Sequence, residues 1–101
     1  MASIGEAKAL MQEAAIKCGE AWGAMESAKE QAAAALNAIE RAQEFAGVAF
    51  DGTSHELAGT AVGSLVQAES HGRACVGATM EVQSYLIGAQ HACELYIATV
   101  G

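Results

Sequence analysis

Apolar residues recur along this chain with one period, interrupted once. From Ile4 onward a heptad places Ile4, Met11, Cys18, Met25, Ala32, Ile39 and Ala46 at a, and Ala7, Ala14, Ala21, Ala28, Ala35 and Ala42 at d. The opposite face carries Glu6, Glu13, Glu20, Glu26, Glu30, Glu40, Arg41 and Glu44, as a solvated helix face should. A second heptad places Ala58, Leu65, Gly72, Thr79, Leu86, Cys93 and Val100 at a, and Ala61, Ala68, Cys75, Val82, Ala89 and Tyr96 at d. Between the two arms lies GVAFDGTSHE, from Gly47 to Glu56, the one stretch with turn chemistry. Ser3 with Glu6 and Thr53 with Glu56 both spell a capping box, and Gly47 stands where a left-handed residue would end the first helix. The pattern predicts an all-α fold: an antiparallel two-helix hairpin, coiled-coil-like, in a single domain over residues 1–101. Helix 1 is expected at about 4–46, the turn at about 47–53 and helix 2 at about 54–99.

Folding the arms about that turn pairs large residues with small ones. Ala35 falls opposite Leu65, Cys18 opposite Val82, Ala14 opposite Leu86 and Ile4 opposite Tyr96. Such alternation fills space at protein density and lets the helices approach to roughly 8 Å. Flanking pairs agree with this register: Leu36 with Val62, Trp22 with Val76, Lys29 with Glu69 and Phe45 with Leu57. None of the three cysteines is brought within disulfide reach of another, and each reads as a small core residue.

A seam so rich in alanine buries little apolar area per layer, because an Ala layer contributes much less than a Leu layer against a similar ordering entropy. A further apolar stripe runs beside it: Val62, Val66, Val76, Met80 and Ile87 on the second arm, with Trp22 and Leu36 on the first. These seven residues predict a partner interface on one edge of the hairpin, with Trp22 as a candidate anchor. The partner is then the chain itself or a related helical hairpin, and the product a four-helix bundle. The structural rival is a monomeric bundle of four short helices, broken near Gly19–Gly23 and Gly72–Gly77.

Composition narrows the function. Eleven Gly weigh against helix and the absence of Pro favours it. A formal charge of −7 with five scattered basic residues excludes a phosphate-binding patch, so no nucleic-acid partner is expected. No basic region followed by an apolar run marks a signal peptide, and no apolar run is long enough for a membrane span, so synthesis in the cytoplasm is expected. Three cysteines without a C-x-x-C pair suit a reduced protein. No Glu-x-x-His motif is present for a di-metal bundle, and His55, His71 and His91 read as loop or surface residues. Cys75 and His71 project to different sides of one helix, which removes the one Cys–His pair. Catalytic residues, metal ligands and cofactors are therefore all expected to be absent.

In size, turn position and both helix starts the chain resembles the WXG (Trp-x-Gly) superfamily of small helical hairpins linked to type VII secretion. It is especially similar to the alanine-rich actinobacterial branch, whose members open like MASIGEAKA and start the second helix with a turn like DGTSHELAG. It departs from the family at two places. Trp22-Gly23 lies within the first arm and lacks the intervening residue, and no Tyr-x-x-x-Asp/Glu follows the second helix, since Ala89 and Val100 stand four residues after Tyr85 and Tyr96. The resemblance implies a dimer without catalysis, exported by a type VII-like system or accompanying a larger secreted effector. The alternative is a structural subunit that assembles into a helical cage or filament.

Overall fold

The computed structural model describes residues 3–100, and among them there are two helices and no strand: α1, Ile4–Ala49, and α2, Glu56–Thr99. The outermost positions of the expected domain, 1, 2 and 101, lie outside the described residues. The two long helices pack as a hairpin, in keeping with the all-α two-helix reading. Both run unbroken through Gly19, Gly23, Gly72 and Gly77, so the rival of four short helices is excluded.

Helix α1 starts as its cap dictates. Ser3 Oγ accepts the Glu6 N–H at 3.1 Å, and the Ser3 carbonyl accepts the Ala7 N–H at 2.8 Å. Its other end corrects the sequence reading. Gly47 stays helical, and the Phe50 N–H still donates to the Ala46 carbonyl at 2.9 Å. The chain reverses at Gly52, where φ is 74°, and the Thr53 N–H closes the turn on the Phe50 carbonyl at 3.1 Å. A third turn position with positive φ is one that glycine occupies without steric cost.

Helix α2 begins at Glu56, and its cap is His55 rather than Thr53. The Leu57 N–H donates to His55 Nδ1 at 3.1 Å, while Thr53 Oγ1 accepts the His55 N–H at 3.3 Å. A neutral imidazole with a bare Nδ1 offers the same acceptor that Ser or Asp supplies at an N-cap.

The chain forms two compact units. A terminal unit joins the first part of α1, through Ala28, to α2 from Thr79 onward, and a turn unit comprises Lys29–Ala78. In the terminal unit Gln83 lies beside Trp22 and Glu26, although Trp22 was expected to face Val76. In the turn unit Leu36 lies against Gly72 instead of Val62, and Arg73 pairs with Glu40 at 3.2 Å. The partner is thus about two helical turns from the expected one for Trp22 and nearly three for Leu36. The cause is local. Three more residues in α1 and a later start for α2 move the pivot from Phe50 toward Thr53.

The buried side of each helix is also rotated from expectation. In the terminal unit the least exposed positions include Met11, Ala15, Cys18 and Met25 of α1, with Thr79, Gln83, Leu86, Gln90, Cys93 and Ile97 of α2. In the turn unit they include Lys29, Ala32, Leu36, Ile39 and Gln43, with Ala58, Leu65, Glu69, Gly72 and Val76. These are a and e positions, and the d residues Ala7, Ala42, Ala61 and Tyr96 are half-buried beside them. The d alanines at 14, 21, 28 and 35 are exposed, as are Ala68, Cys75, Val82 and Ala89. Area explains the choice: Leu36 and Val76 at e bury more apolar surface than alanine at d. Cys75 is accordingly an exposed thiol and not a core residue, while Cys18 and Cys93 are half-buried, and all three are free.

Candidate interaction surface

The interior is thin. Among the described residues only Ala15, Ala58, Thr79 and Gln83 are buried, and no large side chain is fully enclosed. Two of those four, Thr79 and Gln83, are polar. Gln83 is satisfied by two partners from α1: its Nε2 donates to Glu26 Oε2 at 2.7 Å and to the Trp22 carbonyl at 3.4 Å. A hydrogen bond to a carboxylate stabilises by roughly 1.5–3 kcal/mol, enough to hold a polar residue in so small an interior. No buried side-chain N or O among the described residues lacks a partner.

The seven residues expected to form an interface divide by unit. In the turn unit Leu36 and Val76 are half-buried within the helix pair, while Val62 and Val66 are exposed. The difference follows from the shifted register, which turns Leu36 onto the open space left by Gly72. In the terminal unit Met80 and Ile87 are exposed one heptad apart on α2, and Trp22 is 36% exposed at the edge of the seam. An open groove beside them is lined by Gln12, Ala15, Ile16, Gln90, Glu94 and Ile97. It converges two amides and one carboxylate on no nucleophile.

The rotation of the seam exposes a second apolar side that the heptad reading had turned inward. With a and e buried, the d and g positions of two antiparallel helices fall on one side and the b and f positions on the other. In the terminal unit the d/g side presents Leu10, Ala14, Ala21, Ala24 and Ala28 of α1, with Val82, Tyr85 and Ala89 of α2, all exposed. Leu10 is 63% and Tyr85 81% exposed. The one charge on this side, Lys17, pairs with Glu20 at 3.1 Å. The b/f side of the same unit carries Glu26 and Glu94, beside Met80 and Ile87. The signal was present in the sequence: none of the twelve acidic residues occupies a d or g position in either helix.

Among the described residues no group of three His, Cys, Asp or Glu is placed to hold a metal ion. No described helix is long and apolar enough to cross a membrane. At the surface Arg73 pairs with Glu40 at 3.2 Å and with the half-buried Glu69 at 3.5 Å. Arg41 lies over the Phe45 ring at 5.7 Å from its centre. Comparison with protein-family models, with curated proteins and with solved structures finds no match for this chain.

Proposed function

We propose that the chain is a non-catalytic helical interaction protein that acts by pairing its hairpin with itself or with a related hairpin. The observation that carries this reading is the mismatch between its interior and its surface. A compact monomer of 10.3 kDa exposes about 5,400 Å² by the usual size scaling, whereas this chain exposes 7015 Å². Exposed Leu10, Ile16, Met80, Val82, Tyr85 and Ile87 contribute to that surface, while only four of the described residues are buried. Closure into a four-helix bundle would supply the core that the chain lacks. The resemblance to type VII secretion hairpins adds a setting: synthesis in the cytoplasm, then export as a substrate or as the partner of a secreted effector.

Light scattering after size exclusion, on reduced protein over a concentration series, tests the reading. The expected result is a stable mass near twice the chain mass. A monomer at every concentration, with a high and concentration-independent melting temperature, would overturn it. A second reading, a subunit of a cage or filament, draws on the presence of apolar residues on both the b/f and the d/g sides. It is distinguished by a mass that keeps rising with concentration, since a closed pair stops at one mass.

A further inference from the structure

We infer that His55 makes the start of α2 a pH-sensitive latch within the turn unit, closed while its imidazole is neutral and released when the ring takes up a proton. The Leu57 N–H donates to His55 Nδ1 at 3.1 Å, so that nitrogen carries no proton of its own and the ring N–H sits on Nε2. The backbone fixes the residue in this role from both sides. The His55 N–H donates to Thr53 Oγ1 at 3.3 Å, and the His55 carbonyl accepts the Ala58 N–H at 3.0 Å. Ser, Thr, Asn and Asp cap helices through the same kind of acceptor, but only histidine exchanges its acceptor for a donor between about pH 5 and 8.

Proton uptake acts twice at this place. Nδ1 gains a hydrogen, so the cap bond gives way to two donors facing each other. The ring also becomes a cation at the N-terminal end of α2, where the helix dipole favours negative charge. The charged groups around it are Asp51 in the turn, Glu56 on the first turn of α2, and Glu44 and Arg41 near the end of α1, with Arg41 held over the Phe45 ring. Asp51 and Glu56 are exposed, as is His55, so their attraction for the cation is screened and weaker than the loss of the cap. Folding therefore favours the neutral ring. The stability drawn from the cap is full above the imidazole range and is lost as pH falls through it. The release reaches the interior, because Ala58, on the same first turn, is one of two buried apolar residues among those described. The latch belongs to a single chain and does not depend on the proposed pairing.

The test compares urea unfolding of the parent chain with that of His55→Asn and His55→Ala, from about pH 8 to about pH 5 and at one protein concentration. Asn caps a helix without titrating, and reading each variant against the parent at the same pH cancels the response of the other ionisable groups. Relative to His55→Asn, the unfolding constant of the parent should rise about fivefold or more across that range, the usual worth of a cap. His55→Ala has no acceptor at either pH, so the advantage of the parent over it should shrink as pH falls. In isotope-labelled parent protein the Leu57 amide proton should shift with the same midpoint as the His55 ring. A gap between parent and His55→Asn that stays constant across the titration of the ring would overturn the latch. A Leu57 amide that ignores that titration would overturn it as well.

Discussion

Gly72 shows how much a single missing methyl can decide. A Cβ at this position would lie 2.7 Å from Cδ2 and 3.2 Å from Cγ of Leu36. Glycine inside a helix costs about 1 kcal/mol relative to alanine, and here that cost is offset by room for a leucine side chain. Gly77 and Gly88 have nothing within 4 Å of the same added atom, and neither lies on the d/g side. Gly77→Ala and Gly88→Ala should therefore each raise stability by roughly 0.5–1 kcal/mol. Gly72→Ala gains the same helix propensity but loses about 1–3 kcal/mol to overpacking. Urea unfolding of the three variants measures the contrast. If Gly72→Ala proves as stabilising as Gly77→Ala, the close approach of Leu36 does not constrain the fold.

At the scale of the helices, the ends set everything between them. A heptad repeats, so sliding one helix by seven residues puts a positions opposite a positions again, and the hydrophobic pattern alone scarcely distinguishes the two registers. The extension of α1 to Ala49 and the His55 cap choose between them. Disulfide trapping reads that choice directly. In a background with Cys18, Cys75 and Cys93 changed to Ala, Leu36→Cys with Gly72→Cys should oxidise readily, and Leu36→Cys with Val62→Cys should not. The reverse outcome would restore the register expected from the sequence. The helix content, the single reversal and the Ser3 cap were legible, because proline-free heptads and a capping serine act locally. The true turn glycine was not, because Gly47 and Gly52 both offer a left-handed conformation and only tertiary packing decides which adopts it. The seam was misassigned to d for a related reason. A row of alanines has the right period for a core, but the heptad does not weigh it against Leu36 and Val76 at e. Of the expected interface, Trp22, Val62, Val66, Met80 and Ile87 remain on the surface, while the exposed d positions had been counted as core.

For the whole molecule the controlling quantities are surface and charge. A chain of −7 is kept apart from its copies at long range and has apolar surface to lose at short range. Those opposing terms act at different distances. With no carboxylate at d or g, copies brought together through that side would not set like charge against like. Salt that screens the long-range repulsion should accordingly strengthen association.

The thin interior also has a consequence for turnover. With only four of the described residues buried, a solitary copy has little to hold its helices shut, and segments with few buried contacts open at small free-energy cost. Proteases cut such opened segments in proportion to how often they form. The proposed pairing would close that route, so the lifetime of the chain would depend on whether it has found its mate. Limited proteolysis at rising protein concentration and a fixed protease ratio makes this visible. The fraction surviving should climb as copies pair, and survival that ignores concentration would mean the lone hairpin protects itself. Abundance would then be set by assembly rather than by synthesis alone, with unmatched copies cleared through the same exposure that the proposed pairing would cover.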